Sequence, residues 1–223
     1  MRYPINEVFE TLQGEGSFTG TAAIFVRLQG CPVGCPWCDT RHTWDTKPED
    51  ETELASVMAK RGDSPAWAWA TAASLLTAFT QRGFRARHVV ITGGEPAMFD
   101  LQELCTVLHQ GGYRTQIETS GTFAIQAPAE TFVTLSPKVG MKGGYEVLDS
   151  ALLRADEIKH PVARQRDIDE LDQLLKRLPA YAETPIWLQP VSQGKRATQL
   201  CIDTCIARNW RLSVQLHKYL GIE

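Results

Sequence analysis

The sequence predicts an α/β fold with a mostly parallel sheet, and three observations carry that expectation. Short apolar runs rich in β-branched residues alternate with longer runs of helical period. The apolar runs end in glycines or small polar residues, as strands do where a parallel sheet meets its loops. The 223 residues suffice to bury a core as one domain, with room for an insertion.

The strands are expected, in order, at "AAIFVRLQG" (22–30), "HVVITGG" (88–94), "TQIETSG" (115–121), "TFVTLSP" (131–137), "DEIKHPV" (156–162), "PIWLQPV" (185–191) and "RLSVQLHKYL" (211–220). Helical patterns fall between them at "TELASVMAKRG" (52–62), "AASLLTAFTQRG" (72–83), "LQELCTVLHQGG" (101–112) and "RDIDELDQLLKRLP" (166–179). In the last, Ile168, Leu171, Leu174, Leu175 and Leu178 recur at helical spacing behind an acidic first turn, which suits a helix N-terminus. The stretch "GDSPAWAWATAAS" (62–74) breaks the composition and reads as a surface insertion or helix lead-in, with Trp67 and Trp69 packing under a loop. The domain expectation is therefore one unit over 1–223, with a surface insertion around 46–73.

Charge and termini narrow the function classes. A formal net charge of -3 predicts no bulk attraction to nucleic acid or anionic membrane. The start "MRYPINEVFETLQGEG" is charged and lacks the apolar run of a signal peptide or membrane span. A cytoplasmic setting follows as the simplest expectation, and reduced thiols there favour metal or redox chemistry over disulfides.

Three of the six cysteines, Cys31, Cys35 and Cys38, share the loop "CPVGCPWCDT" after the first expected strand. Three thiolates leave a tetrahedral site one ligand short. Either His42 closes a zinc sphere, or an iron–sulfur cluster keeps one iron open for a small molecule. Inert burial fits poorly, because Pro32, Gly34 and Pro36 make this segment a loop. The other strand ends, "GGEP", "ETSGT", "SPK" and "QPVSQG", are polar or glycine-rich, and parallel α/β folds place their chemistry at such carboxyl ends.

The Cys-x3-Cys-x2-Cys loop, followed by Gly93-Gly94-Glu95-Pro96 after the next strand, resembles the radical S-adenosylmethionine (SAM) superfamily. With "FETLQGEG", "FVRLQGCPVGC", "CDT", "ITGGEP", "ETSGT", "LSPK" and the late "LQP", the chain is similar to the 7-carboxy-7-deazaguanine synthase family from Asn6 to the terminus. That resemblance implies a partial (β/α)6 barrel of the radical SAM type. It also implies conversion of 6-carboxy-5,6,7,8-tetrahydropterin to 7-carboxy-7-deazaguanine with loss of ammonia, a step toward 7-deazapurines such as queuosine. The implied cofactors are a [4Fe-4S] cluster, SAM and Mg2+. A reduced cluster would cleave SAM, and the resulting radical would take hydrogen from the pterin ring. A flavodoxin-type electron donor and a homodimer are the implied partners.

The resemblance also assigns roles residue by residue. Cys31, Cys35 and Cys38 would hold the cluster, and Thr40 would supply a hard oxygen to Mg2+. Leu12, Gln13, Gly14, Glu15, Arg27 and Thr92 would bind substrate, the carboxylate of Glu15 meeting paired N–H donors and the planar fork of Arg27 meeting a carboxylate. Trp37, Asp39, Gly94, Ser136, Pro137 and Lys138 would bind SAM. The chain end would fold toward the substrate pocket, its apolar Tyr219, Leu220 and Ile222 docked and the carboxylate of Glu223 near the pterin. Cys105 reads as core, and Cys201 and Cys205 as two thiols one turn apart on a helix. His88, His160 and His217 cluster with nothing in sequence. A glycyl-radical-enzyme activase and a noncatalytic zinc or cluster-binding module remain rival readings.

Overall fold

The computed structural model describes residues 1–179 and 182–222. The strands are β1 (Tyr3–Leu12), β2 (Ala22–Leu28), β3 (Ala68–Ala70), β4 (His88–Gly93), β5 (Arg114–Thr119), β6 (Phe132–Leu135), β7 (Glu157–Val162), β8 (Ile186–Pro190) and β9 (Arg211–Leu212). The helices are α1 (Leu54–Met58), α2 (Ala72–Gln81), α3 (Gln102–Gln110), α4 (Asp149–Arg154), α5 (Gln165–Leu175), α6 (Lys195–Arg208) and α7 (Leu216–Leu220).

Among the described residues the strands form one sheet in the order β3-β1-β2-β4-β5-β6-β7-β8-β9. From β2 to β9 every neighbouring pair is parallel. The antiparallel strands β1 and β3 extend one edge. β3 and β9 stand at opposite edges, so the curved sheet stays open as a partial barrel. The fold class expected from the sequence is the one observed.

Burial explains why these segments are strands. In β2, Ala23, Ile24, Val26 and Leu28 are all buried, as befits a strand covered on both faces. One core cluster lies between β1, β2, β4 and α1 to α3; a second gathers β7 and β8 with α4 to α6. On α5, Ile168, Leu171 and Leu174 form the buried stripe that the periodicity predicts, while Leu175 and Leu178 pack at its margin. Its start is held by Asp167, whose Oδ2 accepts from the N–H groups of Ala163 and Arg164 at 2.7 and 3.0 Å. Cys105, Cys201 and Cys205 are core residues, as expected.

Three expectations are corrected. β1 was not foreseen, because its start "YPINEV" mixes proline and polar residues; it is a strand because Tyr3, Ile5 and Val8 are buried against the first core. The supposed surface insertion is not confined to the surface. Ala68 and Ala70 of β3, with Val57 and Met58 of α1, join the core, and Trp67 is 3% exposed with its indole N–H on the Lys47 carbonyl. Only Trp69 turns outward, where Arg2 stacks on it. The expected last strand, 211–220, shrinks to β9 and then becomes α7. There Tyr219 and Leu220 are 64% and 54% exposed, so these side chains are not docked. Glu223 lies outside the described residues.

Candidate active site

The carboxyl ends of the parallel strands surround one cavity of about 330 Å³. It takes lining residues from β1, β2, β4, β5, β7 and β8, from the cysteine loop, and from the segments following β1, β6, β8 and β9.

The cysteine loop is fastened at its base and free at its thiols. Gly30, at φ +103°, turns the chain out of β2, and its N–H donates to the Thr43 carbonyl at 2.7 Å. Cys31 N–H donates to the Trp44 carbonyl at 3.0 Å. Beneath them the buried Gln29 amide donates to the carbonyls of His42 and Asp45 at 3.0 and 2.7 Å, while its oxygen accepts from Asn6 at 2.7 Å. These bonds fix the returning segment that carries Thr40. Its hydroxyl lies 3.6 Å from the Cys38 sulfur, and Trp44 Nε1 donates to the same sulfur at 3.4 Å.

Cys31, Cys35 and Cys38 are unpaired and all line the cavity. No group of three or more His, Cys, Asp or Glu side chains among the described residues is placed to hold a single metal ion. His42 does not line the cavity; its Nδ1 faces Asp63 at 3.8 Å instead. The zinc reading therefore loses its fourth ligand. Three thiols without a fourth protein ligand suit a cluster that keeps one iron open better than a closed zinc site. Burial pushes the Cys31 thiol up to about 11 and raises Cys35 as well, so a cationic iron core is the kind of group that would hold these sulfurs as thiolates.

The second motif leans directly on the first. Gly94 N–H donates to Leu28 O and Glu95 N–H to Gly30 O, both at 2.8 Å. A Cβ on Gly94 would sit on the Gly30 carbonyl, and one on Gly93 would strike Leu28. The glycines are thus required by the close approach of two backbones. Glu95 is buried at the cavity edge, and its oxygens accept from Ala97 N–H at 3.0 Å, Thr119 Oγ1 at 2.5 Å and Ser120 N–H at 2.9 Å. It joins the end of β4 to the end of β5.

Beyond β6, Ser136 N–H donates to the Thr119 carbonyl at 2.7 Å. The Lys138 ammonium folds back onto Ser136, and burial lowers its pKa. Ser136 and Lys138 line the cavity with Trp37, Asp39, Thr40, Thr92 and Gly94; Pro137 does not.

The candidate substrate residues Leu12, Gln13, Gly14, Glu15 and Arg27 also line the cavity, Arg27 beside Thr92 and Gly93. Arg27 pairs with Glu7 at 3.0 Å while still lining the cavity, so its charge is partly committed. Glu15 is held by Lys159 at 2.6 Å and accepts from Gln215 and Gln189 at 3.0 and 3.3 Å. Lys159 also pairs with Glu118 at 2.6 Å. Burial raises Glu118 to about 6. Burial pushes Glu15 in the same direction, yet Lys159 outweighs it and holds Glu15 below the usual carboxylate range. Gly14 O accepts from Leu216 N–H at 3.0 Å, bringing α7 to the rim, and a Cβ on Gly14 would collide with His217.

Sequence reasoning missed Glu118, Lys159, Gln189, Gln215 and His217, which all line the cavity. A Glu and a Lys inside apolar strands were the available signal, since such charges are seldom buried unpaired. His217, read as isolated, belongs to the site. His88 and His160 do not; they are bonded to Gln116 and to the Asp167 carbonyl, both at a distance from the cavity wall.

Comparison with known proteins gives consistent matches. The radical SAM superfamily matches residues 25–178. The chain is 58% identical to the 7-carboxy-7-deazaguanine synthase of Escherichia coli (strain K12), with all of both chains covered. It is 45% identical, again over both full lengths, to the 7-carboxy-7-deazaguanine synthase of Buchnera aphidicola subsp. Schizaphis graminum (strain Sg). The crystal structure of QueE from Escherichia coli superposes with a TM-score of 0.95 at 57% identity, covering 97% of this chain and 95% of that one.

Proposed function

Because the chain belongs to the 7-carboxy-7-deazaguanine synthase family of the radical SAM superfamily, we propose that its cavity places a carboxypterin between the Glu15 wall and the cysteine loop. Its activity is that of a 7-carboxy-7-deazaguanine synthase, a carbon–nitrogen lyase, and it uses a [4Fe-4S] cluster and SAM. The family leaves the activase and the noncatalytic metal-module readings without support.

The observation that carries the placement is the main-chain coupling of the two motifs beside one cavity that acceptor groups also line. Cys31, Cys35 and Cys38 would hold the cluster. When bound, cluster and SAM supply a carbon-centred radical; the hard chemistry is theirs, and the chain's part is to hold and orient. The "GGEP" turn keeps Gly94 against the cysteine loop, leaving backbone rather than side chain facing SAM. Trp37, Asp39, Ser136 and Lys138 border the same end and would bind SAM, with Pro137 shaping the turn between the last two. Glu15, Gln13 and the Leu12–Gly14 backbone offer acceptors to the amino-pyrimidinone edge of the substrate. Arg27 and Thr92 would receive its carboxylate, Arg27 sharing its guanidinium with Glu7.

Thr40 is the proposed Mg2+ ligand. The residue lines the cavity beside Cys38, and a cation that favours oxygen would draw the rest of its shell from substrate and water. A flavodoxin-type electron donor, a homodimer and a single-domain chain complete the proposal. No helix among the described residues is long and apolar enough to cross a membrane. Anaerobic incubation with SAM, reductant, Mg2+ and the carboxypterin, followed by mass analysis, tests the whole. The product should have lost ammonia relative to the substrate; a substrate recovered unchanged by cluster-loaded protein would refute the reading.

A further inference from the structure

Lys159 sits on β7 with only 5% of its side chain exposed, between two carboxylates that come from other elements. Its ammonium donates to Glu15 Oε2 and to Glu118 Oε2, each at 2.6 Å. The remaining oxygens are also occupied. Glu118 Oε1 accepts from Gln116 and Gln13 at 3.2 and 3.3 Å, and Glu15 Oε1 accepts from Gln215 and Gln189. Four other segments thereby gather around the cation of β7: the loop after β1, β5, β8 and the approach to α7. Glu15, Glu118 and Lys159 all line the cavity.

We propose that Lys159 is a positioning residue of the substrate site, one ammonium that sets the spacing and orientation of Glu15 and Glu118 so that both offer acceptor oxygens to a donor-rich heterocycle. The inference rests on the reading that Glu15 meets the pterin. Two buried carboxylates sharing a site resist joint ionisation, and a cation between them removes that conflict. With Lys159 in place the trio carries one net negative charge, suited to the amino and ring N–H donors of such an edge. Without it, one carboxyl protonates and turns an acceptor into a donor facing the donors of the ligand. The other charged groups around the trio are Glu157 on β7, Lys138 after β6 and His217 on α7. Glu157 is itself an anion held by Thr134 and Ser17, Lys138 is held by Ser136, and burial lowers the pKa of His217, so none of them substitutes for Lys159.

The test compares cluster-loaded wild type with Lys159→Met, Lys159→Arg, Glu15→Gln and the double variant Lys159→Met/Glu118→Gln. KM for the carboxypterin and the pH profile of kcat/KM are measured for each. Lys159→Met should raise KM about tenfold or more, with kcat and iron content changed far less. The acid limb of its kcat/KM profile should move to higher pH by about one unit, because the influence lowering Glu118 is gone. Lys159→Arg should retain the wild-type limb. If Lys159→Met folds poorly, the double variant, which removes cation and second anion together, should fold yet keep the raised KM and lose the limb. Wild-type KM and limb in Lys159→Met, or wild-type KM in the double variant, would overturn the proposal. Wild-type KM in Glu15→Gln would instead overturn the substrate placement beneath it.

Discussion

The N–H of Glu95 donates to the carbonyl oxygen of Gly30 over 2.8 Å, so the turn after β4 hangs directly from the residue that leads into the cysteine loop. With the parallel bond from Gly94 to Leu28, the β2–β4 ladder continues past the end of the sheet into both motifs. Whatever shifts one motif shifts the other. The Glu95 side chain then extends the coupling to Thr119 and Ser120 after β5.

Gly94→Ala should therefore injure the cysteine loop rather than the turn alone. The added methyl falls on the Gly30 carbonyl, and overpacking of this kind costs about 1–3 kcal/mol. The expected outcome is a lower melting temperature together with weaker cluster retention. Wild-type iron content after anaerobic gel filtration would show that the two motifs are not mechanically joined.

Replacing Cys31, Cys35 or Cys38 by Ala should abolish cluster retention and turnover together while the fold survives. Each thiol lines the cavity and none is in the core clusters, so circular dichroism should stay close to wild type. A colourless, zinc-loaded wild-type protein with full activity would contradict this.

Thr40→Ala should leave the cluster in place and raise the Mg2+ concentration needed for half-maximal turnover. The loop survives because its fastening comes from Gln29 and from the backbones of Gly30 and Cys31. The Thr40 hydroxyl adds only a 3.6 Å contact with the Cys38 sulfur. An unchanged Mg2+ titration would reduce Thr40 to a turn residue.

Glu95→Gln should destabilise the protein by about 1–3 kcal/mol, because an amide places donors where a carboxylate accepts from buried N–H and O–H groups. Denaturant melts measure this. Ser120→Ala should lose less, since it deletes a donor and leaves Glu95 with its bonds to Thr119, Ala97 and the Ser120 backbone. Equal stability of Glu95→Gln and wild type would deny Glu95 its joining role.

The sequence by itself determined the parts whose chemistry is local. Three cysteines within eight residues, and two glycines before Glu95 and Pro96, are contiguous segments whose spacing states their demand for a metal group and for a close backbone approach. Alternation of β-branched and helical runs likewise fixed the parallel sheet, since each crossover must bury its own apolar stripe. The tertiary structure alone decided the charged group that lines the same cavity. Lys159 meets Glu118 across 41 positions and Glu15 across 144, and Gln215 reaches Glu15 across 200. In sequence each of these is a lone polar residue near an apolar run, and the energy that makes it legible, a charge paired inside a cavity, exists only once the strands are side by side. The same reason separates Trp67 from Trp69 and turns 216–220 into a helix rather than a strand. A short apolar run takes its conformation from what packs against it, and that neighbour is chosen by the fold.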